Sequence, residues 1–402
     1  MATSYYFSRD VKVYAHVPTA TAGTKAMFYE LPVLDGFSFS QATNASEITL
    51  NQAQSTGGVS VRGRQMFNDS YAPAEWSFST YMSPFTSAGG TLGTAGKGSA
   101  TDGKHCEVSE ALWGMFFDQT VDGALTSDTS NLSISPGNSN KATVGVFDLW
   151  FVFGGAKVAT SSGIPASNYA DGDQKIYRIK DCSVNEASID FDLDGIATVG
   201  WSGMGKIVTE EAALGGQSGT TAIDGTNYTM STSLITEGVS NTTGFIRNRL
   251  SDLTISGDSS GSSVTYVLTL TGGNITFSNN LTYLTPETLG TVNQPLGHVT
   301  GTRTIGGNLT CYLDNDTDAS AELFEDIIEA TTDIQNSFSL AFDIGASGTP
   351  HLLLTMATCH LEVPSHSIDD VISLETNFHA LPSTIGGTNE ITLFDFVGKD
   401  VG

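Results

Sequence analysis

The second half of this chain repeats the first, and the repeat constrains the fold more than composition can. Asp181 to Gly203 (DCSVNEASIDFDLDGIATVGWSG) aligns without gaps to Thr358 to Ala380 (TCHLEVPSHSIDDVISLETNFHA). Cys182 then falls on Cys359 and Trp201 on Phe378, both 177 positions apart. Few identities survive in this stretch, but the alternation of apolar and polar positions does. FDLWF (Phe147 to Phe151) matches FSLAF (Phe338 to Phe342) at an offset of 191. SEALWGMFF (Ser109 to Phe117) matches SAELFEDII (Ser320 to Ile328) at 211, and FSTYM (Phe78 to Met82) matches LTCYL (Leu309 to Leu313) at 231. The order is the same in both halves, and the falling offset places the extra loop in the first copy. Two mainly β units, each with one helix (α+β), suggest pseudo-symmetric assembly.

At 402 residues the chain is long enough for two cores. Abundant Gly, Ser, Thr and Asn favour short strands and turns over long helices. The net charge of -26 excludes a basic footprint on nucleic acid. That charge serves either solubility or repulsion of a polyanion. Cys106, Cys182, Cys311 and Cys359 form no CxxC and read as small buried apolar residues, with no disulfide and no metal. The first residues lack a secretory core and no run approaches membrane-spanning length, so no membrane partner is expected.

Alternation predicts strands at Val11 to Val17, Gly36 to Ser40, Ile48 to Leu50, Trp76 to Met82 and Val146 to Phe153. Tyr177 to Gly203 reads as a hairpin turning near Asp194 and Gly195. In the second copy, strands are predicted over Tyr266 to Leu270, Asn274 to Phe277, Gly307 to Leu313, Ser337 to Ile344, Leu352 to Val363 and Val371 to His379. Helical spacing marks Glu107 to Asp118, with Val108, Ala111, Leu112, Met115 and Phe116 on one apolar face. Its counterpart is Ser320 to Ala330, with Leu323, Phe324, Ile327 and Ile328 inward. The expected division is a first domain over 1–208, a polar linker over 209–244, a second domain over 245–385 and a short tail over 386–402. The tail carries one candidate strand, Ile391 to Phe396. The Gly-rich loop from Thr86 to Cys106 is long enough to act as an assembly arm reaching a neighbouring ring.

Signs of catalysis are weak. Gly200 to Lys206 (GWSGMGK) fits GxxxxGK, yet Ile207 stands where a P-loop needs a hydroxyl for Mg²⁺. Asp314, Asp316, Asp318 and Glu325 resemble a calcium loop, but Ala319 occupies its glycine position and a strand precedes it. The competing reading there is an acidic turn feeding a helix, with Asp318 or Ser320 as N-cap. The histidines are dispersed, no nucleophile has a local base, and no enzyme and no cofactor are expected.

One segment carries a pattern with a use. Glu186, Ser188, Asp190, Asp192 and Asp194 occupy even positions, while Ala187, Ile189, Phe191 and Leu193 occupy odd ones. A strand sends these to opposite faces, giving a core face and a ladder of carboxylates. Adjacent like charges repel and must be solvated. The ladder is therefore a solvated outer face or the acidic wall of a channel. The equivalent face in the second copy, Ser365, Ser367, Asp369 and Val371, is weaker, with Asp370 and Glu375 nearby. Glu186, Asp190, Asp192, Asp194, Asp369 and Glu375 are the candidate lumen-lining residues.

FNDSYAPAEWSFSTYMSPF (Phe67 to Phe85), VGWSGMG (Val199 to Gly205) and SNNLTYLTPE (Ser278 to Glu287), with DCSVNEA at Asp181, resemble the major tail tube proteins of siphophages of the tequintavirus type. The resemblance runs in order from about Val11 to Pro382. It implies two tandem tail-tube domains, each a β-sandwich or half-barrel with a flanking helix. It further implies that three chains form a pseudo-hexameric ring closed as a barrel, and that rings stack into a tube for phage DNA. Implied partners are other copies of the chain and the tape measure, tail terminator and distal tail proteins, in a virion tail made in the host cytoplasm. The named type carries an immunoglobulin-like decoration domain at its C-terminus, where this sequence has only about twenty residues. Carboxylates on a lumen wall offer phosphates nothing to bind, and their repulsion decays over about 8 Å at physiological salt. The contrasting reading is an acidic calcium-dependent adhesin or surface-layer protein.

Overall fold

The computed structural model describes residues 6–17, 26–48, 65–86, 104–136, 144–153, 175–211, 228–231, 239, 242–259, 262–285, 295–329, 338–368 and 371–400. Its first elements are β1 (Lys12–Val17), β2 (Ala26–Leu31), β3 (Ser38–Ile48), β4 (Gln65–Tyr81), β5 (Pro84–Thr86), β6 (His105–Glu107), α1 (Glu110–Phe117) and α2 (Val121–Ala124). Then come β7 (Leu125–Ser127), β8 (Leu132–Ile134), β9 (Phe147–Phe153), β10 (Lys175–Asp192), β11 (Thr198–Gly205), β12 (Ile207–Glu211) and β13 (Tyr228–Ser231). The second half holds β14 (Asp252–Ser259), β15 (Ser262–Val267), β16 (Leu270–Ser278), β17 (Thr282–Leu284), β18 (Gly297–Val299), β19 (Thr304–Tyr312) and α3 (Ser320–Glu329). It ends with β20 (Phe338–Ile344), β21 (His351–Leu361), β22 (Ser365–Ile368), β23 (Ile372–Ala380), β24 (Leu393–Val397) and β25 (Lys399–Asp400). No described helix is long and apolar enough to cross a membrane.

One antiparallel sheet runs β3-β4-β11-β10-β16-β19-β23-β22, crossing from the first half of the chain to the second where β10 meets β16. The N-terminal half of β10 leaves that sheet to pair with β9 and β12, and β9 continues through β1 and β2 to β13. Likewise β21 pairs with β20, which leads to β14 and β15. Among the described residues these pairings branch but never return to a strand already passed, so within one chain the sheet does not close into a barrel. Among the described residues, the outermost strands β3 and β22 each pair on one side only.

The two branch points match in detail. Cys182 stands opposite Phe147, with a register shift between Ile179 and Cys182. Cys359 stands opposite Phe338, and the same shift separates Met356 from Cys359. Each thiol lies against the carbonyl three residues back, Ile179 and Met356. Such a bulge bends a strand, and here it lets one strand serve two sheets. All four cysteines are free and buried.

The core face carries the odd residues of β10 and β11, including Ala187, Ile189, Val199 and Trp201. α1 lies across the β10-β16 seam. Its Trp113 sits 4.7 Å from Trp201, 5.5 Å from Phe277 and 5.0 Å from Phe394 by ring centroids. Sequence spacing anticipates one apolar face, but all eight residues of α1 are buried. The reason is non-local: β24 returns from the C-terminus, pairs with both β21 and β8, and places Phe394 and Phe396 against the helix. Glu107, expected as the first helical residue, pairs instead with Pro84 in the β5-β6 hairpin. α3 follows the amphipathic expectation in part. Leu323 is buried, Phe324 and Ile327 are half-buried, and Ile328, expected inward, is 52 % exposed. The stretch read as a linker supplies the end of β12 and the whole of β13. The Thr86 to Cys106 loop lies outside the described residues between 87 and 103.

Candidate functional site: the open face of the long sheet

Opposite the core face, the long sheet presents its even-numbered β10 residues. The register builds rows across it. One row runs Tyr81, Thr198, Asp190, Asn274, Asn308 and Asn377. A second runs Ser38, Ser77, Ser202, Glu186, Ser278 and Thr304. A third runs Asp192, Gly272, Thr310, Glu375 and Ser365. Every side chain in these rows is a hydroxyl, an amide, a carboxylate or a glycine hydrogen; none is Lys or Arg.

Backbone and side chains tie neighbouring residues of the rows together. Asn274 and Asn308 exchange bonds, each backbone N–H donating to the other's side-chain oxygen at 3.1 and 3.3 Å. The Ser188 hydroxyl donates to Asp190 at 3.3 Å. The Asn377 amide donates to Glu362 at 2.7 Å, and this bond, then His379, holds the Glu362 carboxyl below its ordinary range. Gly272, opposite Asp192, carries no side chain, and a groove of about 580 Å³ opens beside Asp190, Asp192 and Asp194.

Of the candidate lining residues, Asp190, Asp192 and Glu375 are exposed on this face and Glu186 is half-buried on it. Asp194 lies past the end of β10, in the turn at Gly195, 3.3 Å from Arg249 at a fully solvated position. It therefore borders the ladder instead of continuing it. Asp369 lies outside the described residues. Glu75 and Glu362 were not singled out from the sequence. Glu75 was legible, since Glu75, Ser77 and Ser79 share one parity in AEWSFSTYM. The asparagine row was not, because it needs the strand register.

The other motifs resolve into structure. Gly200 to Gly205 lies inside β11, where a Cβ at Gly203 would stand 2.3 Å from both the Ser183 carbonyl oxygen and the Trp76 ring. Gly203 and Gly205 serve close packing. The Asp314 to Asp318 turn spends its groups on itself. The Asp314 carboxylate accepts the Asp316 N–H at 3.1 Å, and Glu322 accepts the Asp318 N–H at 2.8 Å. Ser320 donates to the Tyr312 carbonyl and accepts the Asp314 N–H. Among the described residues no group of three or more His, Cys, Asp or Glu side chains gathers to hold a metal.

The long sheet thus has an open polar face and, on its other side, a buried aromatic core. No family model matches the chain. It is 29 % identical over 374 residues to the tail tube protein pb6 of Escherichia phage T5, covering 92 % of this chain and 71 % of that relative. This similarity supports a major tail tube protein of the tequintavirus type, a structural component of the virion tail.

Proposed function

We propose that three copies of the chain close a ring with pseudo-sixfold symmetry, that rings stack into the tail tube, and that the open face lines the channel for DNA. The two halves act as duplicated units. Strand by strand, β3, β4, α1, β9, β10 and β11 have counterparts in β16, β19, α3, β20, β21 with β22, and β23, in the same chain order. The paired bulges at Cys182 and Cys359 support this equivalence. Tape measure, terminator and distal tail proteins are the further partners of such a tube.

The observation that carries the lumen assignment is the open face itself. It runs without a break across both halves, with Glu75, Glu186, Asp190, Asp192, Glu362 and Glu375 on it and no basic residue in its rows. Phosphates find no cation there, so no counterions are released and DNA passes without sticking. Negative-stain microscopy with mass measurement tests the assembly. Hollow tubes with three chains per ring are expected. Solid particles, or rings with another number of chains, would sink the reading.

A further inference from the structure

We infer that His105 is an acid-sensitive latch on the C-terminal strap: its neutral imidazole holds Gly398 and β25 against β5, and a proton on that ring releases them. The latch works within one chain and needs no assembly.

The strap is held unevenly. β24 is anchored firmly, pairing with β21 and β8 and burying Phe394 and Phe396. β25 is not. It is Lys399 and Asp400 alone, paired in parallel with Phe85 and Thr86 of β5, and parallel pairing is the weaker kind. Among the described residues β25 is the edge of its three-stranded sheet, and Lys399 is exposed. Between β24 and β25, Gly398 passes so close to β5 that a Cβ would stand 2.4 Å from the Phe85 carbonyl carbon. Its N–H donates to Nδ1 of His105 at 2.8 Å.

That bond fixes the chemistry of the ring. A backbone N–H can only donate, so Nδ1 accepts and carries no proton. His105 is buried on β6, where it stands opposite Thr86 of β5. Its own N–H donates to the Asp128 carbonyl at 3.0 Å, and its carbonyl accepts the Ser127 hydroxyl at 2.5 Å. A proton added at Nδ1 would set a donor against the Gly398 donor. The bond is then lost and an imidazolium is left in a buried place, which costs free energy until the strap moves and water reaches the ring.

The surroundings favour the neutral ring. Burial lowers the pKa of His105 from its ordinary 6.5, outweighing a hydrogen bond to the Thr129 backbone and the charge of Asp128, which raise it; His351 on β21 lowers it further. Asp128 in turn interacts with Lys104, next to His105 in the chain, and with Asp395 of β24. A released strap frees the ring to titrate near 6.5, while the closed strap resists the proton. The latch therefore holds in full above 6.5 and weakens as pH falls below it, by up to about tenfold per pH unit for one proton. Release bares the edge of β5 and leaves β24 in its sheet.

Hydrogen exchange of the full chain, read peptide by peptide in a mass spectrometer and corrected for the intrinsic rate, tests this. Between pH 7.5 and pH 5 the peptide holding Gly398 to Asp400 should lose about tenfold or more in protection. Peptides from β10 and β11 should keep theirs. Protection of the strap that does not change with pH, or that falls equally across the chain, overturns the latch. In His105→Gln no ring titrates, so the exchange of the strap should be nearly the same at both pH values. A fall as large as the parent's in that variant overturns the assignment to His105.

Discussion

Burial decides the behaviour of Glu107. Its carboxylate accepts the Ser109 N–H and hydroxyl, both at 2.7 Å, yet complete burial outweighs them and pushes its pKa from 4.5 up to about 7. The folded chain therefore holds a proton that the unfolded chain releases near 4.5. The stability this contributes is present in full below 4.5 and is lost as pH rises through about 7. A shift of this size corresponds to roughly 3 kcal/mol. Comparing urea unfolding at pH 4.5 and pH 8, Glu107→Gln should lose less stability on going to pH 8 than the parent does, by about that amount. An unchanged difference would assign the dependence to another group. Gly307 is decided by space instead: a Cβ there would lie 1.9 Å from the Asn274 carbonyl oxygen on the neighbouring strand. Since sheet backbone cannot retreat, Gly307→Ala should cost about 3 kcal/mol in urea unfolding. Gly297 has nothing within 4 Å, so Gly297→Ala should stay within about 0.5 kcal/mol.

At the scale of elements, β24 contributes more than its five residues suggest. Phe394 is 1 % exposed and lies 5.0, 6.1 and 5.7 Å from Trp113, Phe117 and Phe277, which come from both halves of the chain. Phe394→Ala should cost about 3–5 kcal/mol in chemical denaturation. A loss below 1 kcal/mol would mean that β24 only decorates the core. The strand itself was legible at Ile391 to Phe396, as were most sheet strands, because alternation is a local signal that survives without identities. What β24 covers was not legible, since pairing across more than 200 residues leaves no mark on either segment. The same limit explains α1: its spacing gave a helix with one apolar face, and only the distant strand shows why the rest is buried. Ile328 fails in the opposite sense, being apolar at helical spacing and still exposed. The carboxylate ladder was legible from Glu186 to Asp192 by parity, but not beyond, because parity loses its meaning where β10 ends before Asp194.

For the whole molecule, a net charge of -26 and an open face whose rows hold no Lys or Arg have one joint consequence. If that face is the channel wall, its sign governs whether DNA is held, and reversing the sign should make the tube sticky without changing its build. Asp190 and Asp192 are exposed and have no ion pair among the described residues, so Asp190→Lys with Asp192→Lys should leave the melting temperature within a degree or two of the parent. Six added cations per trimeric ring would line the bore, repeated along every ring of the tube. Variant tubes should then retain linear double-stranded DNA at low salt and release it as salt rises, with a steep logarithmic dependence. Parent tubes should retain none. Glu210→Lys, on β12 away from the open face, makes the same charge change per residue and should behave as the parent. DNA retention by Glu210→Lys, or its absence from the Asp190 and Asp192 variant, would place the open face outside the channel and leave the acidity as a matter of solubility alone.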